Sequence, residues 1–389
     1  MTSHTIMTVR ITVLCACLLA APGASAQDPF VDAIASQVSQ ENTTAIIQTL
    51  ENFGTRYSYT TQCDEAADWI YATMESSGIP VAFEEFEYGG RTLRNVVARI
   101  EGSVYPDRVF VIGAHYDSTS ETPTVYAPGA DDNASGVAAV LEAVRILSAF
   151  ELNNTVEFIA FGGEEQGRQG SQYNAAQADQ AGKHILGMIN LDMIGYWPQT
   201  SDRELDIGKN VASGWLANLV ENATTTYASL PVHNWPNTGV CYDDHVSYWP
   251  YGVDAIVLMD CYEAHQNPGG SGESTPHYHK TSDTIATLDL AQTTEAVRGA
   301  VAAIALLGQP ILAPLDLHTH RNPATGDVRI SWSGGVGPYT LMVSTEPEFS
   351  SGVVELTPLG GTMAIEWLQA GTLDDGIDYY YRATDALAE

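Results

Sequence analysis

Two rhythms of apolar and polar positions divide this chain. Between about residues 60 and 310, apolar and β-branched runs alternate with stretches of helical period. "RNVVARIEG", "RVFVIGAHYDS", "TVEFIAFGGEE", "HILGMINLDMIG" and "DAIVLMD" have the length and composition of buried strands. "DEAADWIYATMESSG", the segment from Ala134 to Leu147 and "GWLANLVENATTTY" read as helices. In the second of these, Val137, Val140, Leu141 and Val144 share one face. Near-continuous apolar strands separated by helices predict an α/β fold, a sheet covered by helices on both faces. After "GQPILAP" the texture becomes strict alternation, in "GDVRISWS", "GPYTLMVS" and "IDYYYRATD", with Gly, Pro and Asp turns between them. That pattern predicts a small all-β sandwich. We place the main domain at 27–312 and the sandwich at 313–389, with its last strand short or absent.

The N-terminus follows neither rhythm. Arg10 precedes the apolar run "ITVLCACLLAAP", too short to span a bilayer, and "ASA" stands before Gln27. Residues 1–26 are therefore expected to be a signal peptide, and the protein to be secreted or periplasmic. No later run reaches the roughly 20 apolar residues of a membrane span; "AVRGAVAAIALLG" fits a buried helix.

In an α/β sheet, ligands bind beyond the carboxyl ends of the strands. His115 and Asp117 follow one predicted strand, Glu164 and Glu165 another, and Asp192 and Asp260 end two more. Solubility alone does not explain polar groups delivered to one edge by four strands.

Charge and cysteines narrow the setting. The chain carries 16 basic and 48 acidic residues, a formal charge of −32. Loss of Arg10 with the signal makes it 15 − 48 = −33. Such an excess excludes nucleic acid as a partner, because phosphates need basic contacts. We expect a monomer without a membrane span. Cys15 and Cys17 leave with the signal; of Cys63, Cys241 and Cys261, the last two flank the proposed site and are the expected disulfide in an oxidising compartment.

His115, Asp117, Asp132, Glu164, Glu165, Asp192 and His279 are the set to explain. Singly, each has an ordinary reading: a satisfied histidine, a strand cap, an exposed acidic turn. Together, five carboxylates and two imidazoles on an apolar edge would repel one another and be costly to desolvate without a cation. Imidazole with carboxylate suits zinc, and two histidines shared among this many carboxylates suit two zinc ions.

"AHYDS", "PGADDNASG", "GGEEQGRQGS", "NLDMIGY" and "HYHKTSDT" resemble, in order and spacing, the five site motifs of the secreted bacterial leucyl aminopeptidases of metallopeptidase family 28. The resemblance covers roughly Asn42 to Leu307. It implies the zinc exopeptidase fold, with a mixed, mostly parallel sheet, and the C-terminal segment resembles a fibronectin type III domain. Carried over residue by residue, it implies that His115 and Asp192 bind one Zn²⁺, that Glu165 and His279 bind the other, and that Asp132 bridges both. Glu164 would be the general base acting on a zinc-held water, and Asp117 would orient the ring of His115. Spacing alone does not divide the two glutamates in this way. The resemblance further implies a cis peptide bond between Asp132 and Asn133.

Direction of cleavage has its own argument. A carboxypeptidase needs a cation for the terminal carboxylate, and near the motifs only Arg168 and Lys280 offer one. A carboxylate-rich site instead welcomes a free α-amino group, so the expected substrates are peptides with a free N-terminus. Met193, Ile207, Val240, Cys241, Met259 and Tyr278 stand where the family lines an apolar pocket, which implies large apolar N-terminal residues; Tyr242 is the candidate for stabilising the oxyanion. Asp243, Asp260 and His265 depart from the family's usual residues and make the pocket more polar. The rival readings are a glutaminyl cyclase-like aminoacyltransferase on the same fold, which would use one zinc, and a non-catalytic binding protein.

Overall fold

The five apolar runs pair side by side in a single eight-stranded sheet. We describe a computed structural model covering residues 28–197, 203–234, 243–260 and 275–311, and beyond these only the strands named below. The signal segment, Tyr242 and the expected Cys241–Cys261 disulfide lie outside the described residues. Val31–Ile311 forms one compact unit, and the strands within Leu312–Glu389 belong to a second.

In the first unit, β1 (Val81–Tyr88), β2 (Arg91–Ile100), β3 (Tyr105–His115), β4 (Glu151–Leu152), β5 (Asn154–Phe161), β6 (Ile185–Leu191), β7 (Leu205–Lys209), β8 (Val232–Asn234), β9 (Asp254–Met259) and β10 (Pro310–Ile311) follow in chain order. The large sheet has the order β1-β2-β5-β3-β6-β9-β7-β8. β5, β3, β6 and β9 run parallel, as do β7 and β8, whereas β1/β2, β2/β5 and β9/β7 are antiparallel. The sheet is therefore mixed, and its central strands all end at one edge. β4 pairs with β10 outside it.

Helices are α1 (Pro29–Ala35), α2 (Gln40–Glu51), α3 (Thr61–Glu75), α4 (Gly136–Leu147), α5 (Gln169–Gln180), α6 (Gly214–Ala223) and α7 (Leu290–Gly308). Side chains of Ser39, Thr60 and Asp289 accept amide hydrogens in the first turns of α2, α3 and α7. Alternate residues of β3 serve opposite faces: Val109 and Val111 join Ile159, Phe161 and Met188 under Ala175 and Ala178 of α5. α4 and α7 pack over β3 and β5 on the other face, against α2, α3 and α6. α7 is long and apolar enough to cross a membrane by length and composition, but 72% of its most apolar stretch is buried inside the protein. It serves as a core helix.

Beyond residue 311 the described strands are β11 (Asp316–Arg321), β12 (Val328–Ser333), β13 (Tyr339–Ser344), β14 (Val354–Glu355), β15 (Glu366–Gln369) and β16 (Tyr380–Asp385). They form two antiparallel three-stranded sheets, β11-β12-β15 and β14-β13-β16. All three alternating runs read from the sequence are among them.

Candidate metal centre

His115 is the last residue of β3, and Glu164, Glu165 and Asp192 follow the ends of β5 and β6. Parallel register therefore delivers them to one edge. Asp132 comes from the loop entering α4, where the Asp132–Asn133 peptide bond is cis. His279 comes from the turn before α7 and has a left-handed backbone (φ 54°), as does Met193 (φ 53°) beside Asp192. A positive φ on a non-glycine residue is uncommon, and such residues cluster at functional sites as well as at helix ends.

The carboxylate of Asp132 faces two imidazoles. Its Oδ1 lies 3.3 Å from Nε2 of His115, and its Oδ2 lies 3.3 Å from Nε2 of His279. Asp192 Oδ1 completes the first group at 3.4 Å from His115, and Glu165 Oε2 the second at 3.2 Å from His279. Tetrahedral ligands held about 2.0–2.1 Å from an ion stand about 3.3 Å apart, so each triplet has the spacing of a zinc ligand set. Among the described residues, buried Asp192 Oδ1 and Glu165 Oε1 have no hydrogen-bond partner, as expected of oxygens that answer to a cation rather than to a donor.

Protein charges alone leave this cluster repulsive. Burial, together with Asp132, pushes Glu165 up to about 7. Burial also lifts Asp192 and Glu164 far above the carboxylate range, although His115 opposes both shifts. For Asp132, burial is outweighed by the two imidazoles, which hold it below the ordinary range. Burial disfavours charge on His279, yet Asp132 and Glu165 raise it to about 10. One or two divalent ions would relieve the repulsion, and the residues fit zinc by donor type as well as by spacing.

A buried frame fixes these groups. The ring of His115 meets the main-chain carbonyl of Asp117 at 3.0 Å; the Asp117 carboxylate is 3.7 Å away, too far for a hydrogen bond. Its oxygens instead accept the amides of Glu164 (3.0 Å) and Glu165 (3.2 Å) and the hydroxyl of Ser58 (2.9 Å). Asp131 accepts the amide of Gly195 at 2.9 Å. Asn133 bonds Leu191 O and caps α4 at Gly136, so both neighbours of Asp132 grip the segment carrying Asp192. Asp283 accepts the consecutive amides of Asp131 and Asp132 at 2.9 and 3.0 Å.

Ser58 and Asp283 did not stand out in the sequence, and Asn133 did so only through the cis bond expected after Asp132. Asn133 and Asp283 lie inside quoted motifs, four residues past His279 in the latter case, but Ser58 carries no local signal. Of the pocket residues, Met193, Met259 and Ile207 are buried. Met193 O accepts the amide of Asp260, and Ile207 lies opposite Leu258. Tyr278 is half-exposed and stacks on His279, ring centres 3.7 Å apart. Asp244 and His245 are fully buried, and among the described residues the imidazole of His245 has no hydrogen-bond partner.

Residues 95–304 match the sequence model of peptidase family M28. The chain is 30% identical over 283 residues to leucine aminopeptidase 1 of Trichophyton equinum, covering 67% of this chain and 71% of that one. It is 36% identical over 229 residues to a probable zinc metalloprotease of Pyrenophora teres f. teres, covering 53% of this chain and 49% of the relative; it thus spans about half that protein's length. LapB from Legionella pneumophila superposes with a TM-score of 0.63 at 26% identity, over 72% of this chain and 74% of LapB. A glutaminyl cyclase of Porphyromonas gingivalis shares the fold, with a TM-score of 0.58 at 21% identity over 69% and 99% of the two chains.

Proposed function

The chain belongs to peptidase family M28, and from that premise we propose that it is a zinc-dependent aminopeptidase with a two-ion centre. The observation that carries this reading is Asp132, whose two oxygens each face a different histidine at 3.3 Å, each histidine being backed by a further carboxylate. His115 and Asp192 would hold one zinc, Glu165 and His279 the other, and Asp132 both. Zinc supplies Lewis acidity, which lowers the pKa of water and polarises a scissile carbonyl.

The remaining work falls to the chain. Asp117 holds the backbone of Glu164 and Glu165 through consecutive amides, so the two carboxyls are aimed as one unit. Glu164 is not needed as a ligand in either triplet and is left to take the proton of the attacking water and return it to the leaving amine. The buried carboxylate surplus favours a cationic α-amino group, which supports removal of single residues from the N-terminus. Met193, Ile207 and Met259 stand where the family lines its apolar pocket and are buried here, which supports apolar side chains at that residue.

A glutaminyl cyclase-like reading is supported only by shared fold; paired triplets joined through Asp132 favour the hydrolase. Incubating zinc-loaded protein with a library of peptides that differ in the N-terminal residue tests the choice. Release of free N-terminal amino acids, abolished by a chelator, is the expected result. Intact peptides, or cyclised N-terminal glutamine without release of amino acids, would overturn it.

A further inference from the structure

Arg56 is among the largest fully buried side chains, with no exposed surface. Among the described residues its guanidinium makes four hydrogen bonds, and every acceptor is a main-chain carbonyl: Nε to Tyr116 O (2.7 Å), Nη1 to Leu50 O (3.0 Å) and Pro128 O (2.7 Å), and Nη2 to Gly129 O (2.8 Å). A buried cation ordinarily pairs with a carboxylate. Here the dipoles of three separate segments solvate the charge, and its field is left to act on the carboxylates of Asp283, Asp117 and Asp132.

The three segments are informative. Tyr116 lies between His115 and Asp117, Pro128 and Gly129 lead into Asp131 and Asp132, and Leu50 is near the end of α2. The main chain of Arg56 reinforces the link: its amide donates to Ser118 Oγ (3.1 Å), and its carbonyl accepts the amide of Ser118 (3.2 Å). Ser118 Oγ in turn donates to Ala127 O at 2.7 Å. The guanidinium also approaches Gly129 closely; a Cβ there would stand 2.9 Å from Nη2, in a backbone already left-handed at φ 53°. Arg56 lies outside residues 95–304, the part that the family model matches.

We propose that Arg56 is a positioning residue for the metal centre: its fork sets the spacing between the His115 and Asp132 segments before any ion arrives, and its fixed charge offsets part of the carboxylate repulsion. The inference rests on the two-zinc reading. Geometry makes the fork essential, because one ammonium group cannot reach carbonyls on three segments in fixed directions, as a planar guanidinium can. Lysine would keep the charge and lose the clamp; methionine would lose both.

Wild-type protein, Arg56→Lys and Arg56→Met are compared in five measurements: thermal melting, zinc affinity by competition with a chromophoric chelator, the visible spectrum of the cobalt-substituted protein, hydrogen exchange over residues 127–135 after chelation, and steady-state peptide hydrolysis. We expect zinc to bind both variants about 10- to 100-fold more weakly, the usual cost of losing a group that orients metal ligands. The cobalt bands should shift, and exchange at 127–135 should quicken even without metal. kcat should fall more than KM rises, since the substrate pocket is untouched. If Arg56→Met does not fold, Arg56→Lys decides. A folded Arg56→Lys protein with wild-type zinc affinity and cobalt spectrum, whatever its melting temperature, overturns the inference alone. Wild-type protein that binds no zinc overturns the parent reading and the inference with it.

Discussion

Asp283 accepts the amide of Asp132 at 3.0 Å with one oxygen and the amide of Asp131 at 2.9 Å with the other. One carboxylate thereby fixes two consecutive peptide groups at the point where the chain presents Asp132, the proposed bridging ligand. Asparagine at this position has one acceptor oxygen and an NH₂ group that would face an N–H. Asp283→Asn should therefore leave one buried donor unpaired and lower stability by about 1–3 kcal/mol. It should also weaken zinc binding. Denaturant unfolding and chelator competition check this; a variant that loses neither contradicts the role.

Glu164 stands beside Glu165, a proposed zinc ligand, and is not needed in either ligand group, so on this reading its removal separates chemistry from metal binding. Glu164→Gln should reduce kcat by at least about 100-fold, the lower range for a general base, while zinc content stays at the wild-type value. Peptide hydrolysis with metal analysis of the same preparation reads both. Substantial surviving activity would sink the assignment.

Chelation should expose the repulsion among the buried acids. Burial pushes Asp131 to about 6, Glu165 and Asp244 to about 7 and Asp283 to about 8. The folded chain then keeps protons that the unfolded chain has released, and this stability is lost as pH rises from about 4 to 8. His279 works in the same direction: its stabilisation is complete below 6.5 and lost as pH climbs toward about 10. Asp132 runs the other way, at the acid end only. The melting temperature of chelated protein should thus fall between about pH 5 and 9, and the stabilisation by added zinc should grow over the same range. A chelated protein that becomes more stable across this window would refute the electrostatic account.

His245 is buried and has no hydrogen-bond partner among the described residues, and burial pushes its pKa down to about 4. The unfolded chain takes up the proton near 6.5 and the folded chain only near 4, so stability is complete above 6.5 and is lost as pH falls between those values. The loss is on the order of 3 kcal/mol. His245→Phe keeps a ring against Trp249, which His245 meets edge-on, and removes the titration. Its melting temperature should match or exceed that of wild type at neutral pH and drop less toward pH 4. Parallel acid-side melting curves would reject this reading.

How far the site was legible in the sequence depended on the range of the contacts involved. The five quoted strands and the helices α3, α4 and α6 were readable because apolar period is a local property. The edge location of His115, Glu164, Glu165 and Asp192 followed from those strands, since parallel strands deposit their ends together. β1, β7 and β8 were not read: β1 is partly exposed along its length, and the other two are short.

What the sequence determined by itself is therefore the kind of chemistry: an apolar α/β sheet presenting imidazoles and carboxylates at one edge, too acidic to stand without cations. What only the tertiary structure decided is how those groups are aimed. Arg56 reaches Gly129 across 73 positions, Asp117 meets the amide of Glu164 across 47, and Asp283 meets Asp132 across 151. No local pattern encodes such pairs, because a hydrogen bond needs only a donor and an acceptor brought within about 3 Å. In the folded chain, packing of the sheet and its helices supplies that proximity.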